Sequence, residues 1–419
     1  MKIRVKNIGK VKEADIEIRG ITVIAGPNDT GKSTISRALF SVFNSFYHIE
    51  EEMKQEREKR LFRIINVLFF ESDIRLSASK SNVLVNKILA LRNRKTNNNI
   101  ENIDSVFEEY IASFTENDKR KLRNSLKKYS GTIQDTLSIT DEEFFVGAMN
   151  RNLNSVFNHQ INNLFSSQDG VIILNIKDNP MKITVKDNAV IDVGNKLSLN
   201  TEAVYLDNPF VLNELENPLI DTNYYPMQER QILIKLKKNT VEPELFQEII
   251  VSKKLESVYT NINSVFSGKI TGSEIEGWGR KLPKTSKQLD VRNFSAGLKT
   301  FAILKTLLLN GAIEENGTLI LDEPEVHLHP EWQLVFARVI VELYKAFGLH
   351  ILLNTHSPYF LRAIEVYAEQ AGIVDVCKYY RAYNKESFSY IKDVTGNVEE
   401  IYKSLAGPLQ VLENERYAD

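Results

Sequence analysis

Apolar and polar residues alternate from Met1 to Ala25, the two-residue period of a half-buried strand. KIRVKNIG, ADIEIRG and ITVIAG read as three short strands, with turns at Gly9-Lys10 and Arg19-Gly20. The third is apolar throughout, as suits a central strand. A Gly-rich turn follows, then a helix predicted from Lys32 to Tyr47. Over residues 48–167 the period becomes helical, as in EEMKQEREKRLFRIINVLFF and ENDKRKLRNSLKKY, with a loop expected at RNRKTNNNIEN. Long unbroken heptads are missing, so this part reads as a compact helical insertion, not a coiled coil.

Strands return over residues 168–208: GVIILNI, MKITV, AVIDVG and EAVYLDN. Residues 209–285 read as a second, mostly helical insertion. Residues 286–419 alternate helix with strand as far as Tyr380, the pattern of a parallel sheet with crossover helices. The predicted class is α/β, with an N-terminal antiparallel β part, a central parallel sheet and a helical insertion. The outer segments 1–47, 168–208 and 286–419 supply its head.

Composition narrows the function classes. A formal net charge of −2 argues against general coating of nucleic acid, although a local basic patch is compatible with it. Cys377 is the only cysteine, which excludes a disulfide within the chain and a thiolate zinc site; it reads as a small packing residue. No apolar run approaches the roughly 18 residues that span a bilayer, and the charged N-terminus has no signal-peptide pattern. The expectation is a cytoplasmic protein without a membrane partner.

The strongest chemical signal is Gly26-Pro-Asn-Asp-Thr-Gly31-Lys32-Ser33, which fits G-x-x-x-x-G-K-[ST] between an apolar strand and a helix. Such a loop wraps phosphates with backbone N–H groups at a helix N-terminus. Gly26, Asn28, Thr30, Gly31, Lys32, Ser33 and Thr34 are the positions expected to meet ATP. Lys32 would reach the outer phosphates, and the Ser33 hydroxyl would ligate Mg²⁺. Downstream, the apolar run Thr318–Leu321 ends in Asp322-Glu323. A carboxylate at a strand's C-terminal edge suits Mg²⁺, a role for Asp322. Glu323 is placed to accept a proton from an attacking water.

With these residues in view, Asp322-Glu-Pro-Glu-Val-His-Leu-His329-Pro330 resembles the Walker B and D-loop segment of ABC-type ATPases of the SMC, RecF and OLD-nuclease group. Asn293-Phe-Ser295-Ala-Gly297-Leu-Lys299 resembles the ABC signature, and Leu353-Asn-Thr-His356-Ser-Pro358 the switch-histidine motif. The four motifs stand in the family's order. The resemblance implies a P-loop head that hydrolyses ATP with Mg²⁺. It also implies a homodimer or higher oligomer, in which Ser295 and Gly297 of one copy face the γ-phosphate held by the other. His356 would sense that phosphate. The family's Q-loop glutamine has no clear counterpart; Asn208 is the candidate, since its amide offers the same donor and acceptor.

Apolar Leu298, Phe301, Leu304 and Leu308 predict a one-sided stripe on the signature helix. Glu325, His327 and His329 could be read as a metal set, but the resemblance favours a D-loop role. The basic cluster Lys119, Arg120, Lys121, Arg123, Lys127 and Lys128 reads either as a nucleic-acid contact or, with more weight, as a solvated helix face. Trp278, in a Gly-flanked loop, reads as a partner anchor or a partly buried aromatic, and Tyr224-Tyr225 as packing residues. The chain ends soon after the last predicted strand. A nuclease or toxin activity is therefore expected on a separate effector. The resemblance implies an ATPase subunit of a bacterial anti-phage defence system or, alternatively, a RecF-like DNA-binding clamp in repair.

Overall fold

A computed structural model describes residues 1–92, 99–195, 197–217, 225–237, 253–273, 277–282 and 287–416. The chain divides into two compact units, Met1–Tyr47 with Ala148–Asp419, and His48–Gly147.

The first unit is built on an eleven-stranded sheet. Its strands are β1 (Lys2–Ile8), β2 (Val11–Glu17), β3 (Ile21–Ala25), β4 (Gly170–Ile176), β5 (Asn179–Lys186), β6 (Ala189–Gly194) and β7 (Ala203–Leu206). After a separate small antiparallel sheet of β8 (Ile270–Ser273), β9 (Gly277–Lys281) and β10 (Gln288–Asp290) come β11 (Thr318–Asp322), β12 (His350–Thr355), β13 (Cys377–Lys385) and β14 (Phe388–Asp393). The large sheet runs β6-β5-β4-β1-β2-β14-β13-β3-β12-β11-β7. The β13-β3-β12-β11-β7 half is parallel, whereas β2-β1-β4-β5-β6 is antiparallel. Every residue of β3 and of β11 is buried, as apolar strands in the middle of a covered sheet should be.

Register fixes the site. Thr355 lies opposite Ala25, Asp322 opposite Asn354, and Leu321 opposite Leu206. The carboxyl ends of four parallel strands therefore stop at one edge, where ligands bind in open α/β sheets.

Helix α1 (Lys32–Phe46) leaves β3 and packs beneath this edge. The signature helix, Ala296–Leu309, departs from the predicted stripe: from Lys299 to Leu308 it is buried on all sides. Its second face is covered by the helix Glu256–Val265 and the short 3₁₀ turn Pro209–Glu214. Two lysines survive this burial because carbonyls receive their ammonium protons. Lys299 Nζ donates to the oxygens of Arg292 and Phe294, and Lys305 Nζ to those of Phe266 and Asn263.

Over 209–285, expected to be mostly helical, the described residues hold the helices Met227–Lys237 and Glu256–Val265 but end in the strands β8 and β9. Trp278 sits on β9 and is buried, so it is a packing residue and not a loop anchor. Tyr225 is buried also; Tyr224 lies outside the described residues. Cys377 is buried, and burial pushes its thiol up to about 11.

The second unit is helical, with Ile49–Glu71, Ala78–Arg92, Asn99–Ile111 and Glu116–Ser138 around a core that includes Leu61, Leu68, Phe69, Ile88, Phe107 and Leu122. Of the loop predicted at RNRKTNNNIEN, residues 93–98 lie outside the described residues, and a helix begins at Asn99. The basic cluster faces acids of its own unit: Lys119–Glu116, Lys121–Asp73, Arg123–Glu108 and Lys128–Glu71 are ion pairs.

Candidate functional site

The loop Gly26–Gly31 carries β3 into α1. Pro27, Asn28 and Asp29 are exposed at its crest, whereas Gly26, Thr30 and Lys32 are buried. Asp29 (φ 61°) and Gly31 (φ 77°) both occupy the left-handed region. Gly31 could not carry a side chain: a Cβ there would stand 2.6 Å from Val11 Cγ2. Thr30 Oγ1 donates to the Pro27 carbonyl at 2.8 Å and closes the loop. Lys32 Nζ donates to the carbonyls of Gly26 (3.1 Å) and Pro27 (2.9 Å) and lies 3.1 Å from Glu323 Oε1.

Glu323 follows β11 in a left-handed conformation (φ 49°), uncommon for a residue with a side chain. Its N–H donates to the Asn354 carbonyl at 3.0 Å. Its Oε2 lies 3.4 Å from His356 Nδ1, too poorly aligned for a hydrogen bond but close enough for an ion pair. The His356 ring, and then Lys32, hold the Glu323 carboxyl down at about 2, against the opposing effect of burial. Glu323 in turn raises His356, with Glu325 adding to the effect. Lys32, Glu323 and His356, picked from three separate motifs, thus meet in one chain of contacts.

Asp322 is buried, and both its oxygens accept. Tyr205 Oη donates to Oδ2 at 2.7 Å and Asn354 Nδ2 to Oδ1 at 2.7 Å. Glu325 is also buried. Its Oε1 accepts from the Thr355 hydroxyl and from the His356 backbone N–H (3.1 Å), and burial raises its carboxyl. The metal set Glu325, His327, His329 does not assemble. Glu325 turns inward, His327 stacks edge-on against Phe210, and His329 caps the helix Pro330–Phe347; no cluster of metal-ligating side chains is found among the described residues.

A cavity of about 350 Å³ opens beside these groups, and its walls include Ser33, Arg37, Asp207, Asn208, Asp322 and Glu323. Asn208 is on this wall, but its amide is already engaged. Its Oδ1 accepts from Phe210 N as a helix cap, and its Nδ2 donates to Glu229. Its neighbour Asp207 is the perturbed group: burial pushes its carboxyl up to about 6. Arg37, one turn after Ser33 on α1, holds a buried Nε without a hydrogen-bond partner among the described residues. The donor set fits a magnesium nucleotide: a hydroxyl at Ser33 and a buried carboxylate at Asp322 share one cavity, and the Gly-rich loop leads directly into the helix that bears Ser33.

Ser295 caps the signature helix, accepting from Leu298 N at 3.4 Å, and is exposed. Gly297 is buried against the D-loop, where a Cβ would meet the His327 carbonyl at 2.8 Å.

Sequence reasoning missed Tyr205, Asn354, Asp207 and Arg37, and weighed Glu325 only as a metal ligand. The strand register that brings Tyr205 and Asn354 to Asp322 is written in no local pattern. Asp207 could have been suspected as an acid adjoining an apolar strand end.

The chain matches the AAA ATPase domain family over residues 1–361. It is 22% identical to the retron Vc95 probable ATPase of Vibrio cholerae serotype O1 biovar El Tor, covering 90% of this chain and 74% of that protein. Among solved structures it is similar to an SMC head bound to the C-terminal winged-helix domain of ScpA (TM-score 0.43, 10% identity, 94% of this chain and 97% of that one). It is also similar to the SMC head domain from Thermotoga maritima (TM-score 0.37, 11% identity, 94% and 98%). Among the described residues, no helix is long and apolar enough to cross a membrane. With the family match spanning the phosphate loop, the acidic pair and the switch histidine, this chain belongs to the AAA ATPase domain family.

Proposed function

We propose that this protein is an ATP-driven dimerising switch. The amides of Gly26–Ser33 and the Lys32 ammonium bind the phosphates, and Asn28, Thr30 and Thr34 line the same loop. Ser33 and Asp322 would hold Mg²⁺, which when bound neutralises phosphate charge and orients the triphosphate. Glu323 accepts a proton from the attacking water, and His356 orients water and γ-phosphate. The N-terminus of the signature helix, with Ser295 and Gly297, completes the site of a second copy by presenting N–H groups and a positive dipole end. Hydrolysis then reopens the pair, so chemical energy becomes a change of assembly. The observation that carries this reading is the convergence of Lys32, Glu323 and His356 within 3.1 and 3.4 Å at the carboxyl edge of the parallel strands.

The switch would act on a separate effector, a nuclease or toxin. Similarity to a protein named as a retron ATPase supports a place in a multi-component bacterial system, which the motif resemblance reads as anti-phage defence. A DNA-clamp role has less support, because the basic helix is already paired with acids of its own unit. The test is ATP turnover and solution mass with and without ATP, for the parent, Lys32→Ala and Glu323→Gln. The expected result is a dimer trapped by ATP in Glu323→Gln, and a monomer without turnover in Lys32→Ala. A Lys32→Ala protein that cleaves ATP at the parental rate would overturn the reading. Steep, ATP-dependent DNA affinity that falls with salt would instead favour the clamp.

A further inference from the structure

We infer that Tyr205 and Asn354 are positioning residues that pre-set the Asp322 carboxylate for a divalent cation, an inference that rests on the nucleotide site proposed above. Asp322 is 8% exposed, and no ion pair to it is found among the described residues. A buried carboxylate without a cation is costly unless its oxygens are hydrogen-bonded. Here each oxygen takes one neutral donor at 2.7 Å, Tyr205 Oη on Oδ2 and Asn354 Nδ2 on Oδ1. Two neutral donors fix the plane of the carboxylate and leave its charge intact. A lysine or arginine in their place would compete with the metal. Lone pairs on both oxygens remain for a cation or its water.

The same two residues tie Asp322 to the helix that bears the other proposed metal donor. The Tyr205 ring is fully buried and packs on Phe40 of α1 at 5.5 Å between centroids. Asn354 Nδ2 also donates to Ser36 Oγ at 2.9 Å, three residues beyond Ser33 on α1. Tyr205 on β7 and Asn354 on β12 flank β11 from either side. The spacing between the Ser33 hydroxyl and the Asp322 carboxylate is therefore held from both neighbouring strands and not by β11 alone. Partners of this kind around a metal-binding carboxylate typically change metal affinity about 10–100-fold when removed.

Tyr205→Phe removes one hydroxyl and keeps the ring on Phe40. The measurements are Mn²⁺ affinity for the full chain with a non-hydrolysable ATP analogue, by electron paramagnetic resonance, and analogue affinity in EDTA, by calorimetry. The expected result is a Mn²⁺ affinity lower by about 10-fold or more, with metal-free analogue affinity unchanged. Ser36→Ala, which frees Asn354 from α1 without touching Asp322, should weaken Mn²⁺ in the same direction by a smaller factor, and serves if Tyr205→Phe fails to fold. Unchanged Mn²⁺ affinity in a folded variant overturns the inference. Loss of analogue affinity in EDTA also overturns it, since the hydroxyl would then be serving the loop. A parent protein that binds the analogue no better with Mg²⁺ than without overturns the nucleotide-site reading itself, and this inference with it.

Discussion

Lys32 Nζ sits 3.1 Å from the Glu323 carboxylate, so the phosphate-binding ammonium and the proposed base are one ion pair. The lysine side chain is nearly fully buried, and its other protons go to loop carbonyls. A triphosphate must compete for this ammonium. Glu323→Gln removes the competing charge, so analogue affinity should stay the same or rise. Turnover should fall by about 10²–10⁴, the usual worth of a positioned general base. Affinity by calorimetry and steady-state turnover check both halves; loss of affinity together with rate would show that Glu323 only supports the fold.

Composite sites predict complementation between two inactive variants. Lys32→Ala spoils a copy's own phosphate loop and leaves its signature helix intact. Ser295→Arg, at an exposed cap, does the reverse. Each variant alone should be inactive. An equimolar mixture should recover turnover, up to about half of the parental value, since each mixed dimer holds one complete site of two. No recovery over a range of concentrations would argue for sites completed within one chain.

The Glu323–His356 pair gives stability a pH window. Glu323 is depressed to about 2, so its contribution is present above the unfolded value of about 4.3 and is lost as pH falls toward the folded one. His356 is raised, so its contribution is complete below about 6.5 and is lost as pH climbs through the folded value. The pair should therefore stabilise most between about pH 4.3 and 6.5. The melting-temperature gap between the parent and His356→Asn should be wider at about pH 5.5 than at about pH 8.5. Both groups are partly exposed, so the gap should also narrow in salt.

Much of the head was legible because its chemistry is contiguous. Gly26–Ser33 and Leu321–Glu323 each place a donor set on one turn, beside an apolar strand whose type is plain. What stayed hidden depends on chain segments far apart. Tyr205 reaches Asp322, and Asn354 reaches Ser36, only through the order of β7, β11, β12 and β3. Asn208 was chosen for its amide, yet a proline one step later makes the same amide a helix cap. Leu298, Phe301, Leu304 and Leu308 predict a one-sided stripe on the signature helix, yet Lys299, Thr300, Lys305 and Thr306 are buried as well. Burial becomes tolerable only once carbonyls of the preceding turn receive the Lys299 ammonium and those around Phe266 the Lys305 ammonium. The glycines on either side of Trp278 look like a loop in sequence and lie within β9.

Glu325 ties the D-loop to the switch segment. With its side chain 2% exposed, one oxygen accepts both the Thr355 hydroxyl and the His356 N–H. Glu325→Ala leaves two buried donors unpaired, which should cost about 1–3 kcal/mol in urea unfolding. Glu325→Gln keeps an acceptor oxygen and should recover most of that loss. If alanine and glutamine destabilise equally, the carboxylate charge matters more than the hydrogen bonds.

Gly297 makes the last link, between the signature helix and the D-loop of the same chain. A Cβ at this position would stand 2.8 Å from the His327 carbonyl, with Trp332 and Leu328 closing in at 3.2 and 3.3 Å. Backbone cannot yield as the tip of a side chain can, so Gly297→Ala must push the D-loop away from the helix. The phosphate loop and the Asp322 carboxylate are untouched by that shift. Analogue affinity of the monomer should therefore stay within about 2-fold of the parent, while ATP-dependent dimerisation and turnover fall by about 10-fold or more, since small misplacements at a site are costly. Sedimentation of Gly297→Ala in the Glu323→Gln background separates the two effects. A dimer as stable as that of Glu323→Gln alone would mean that the contact between Gly297 and His327 serves only packing.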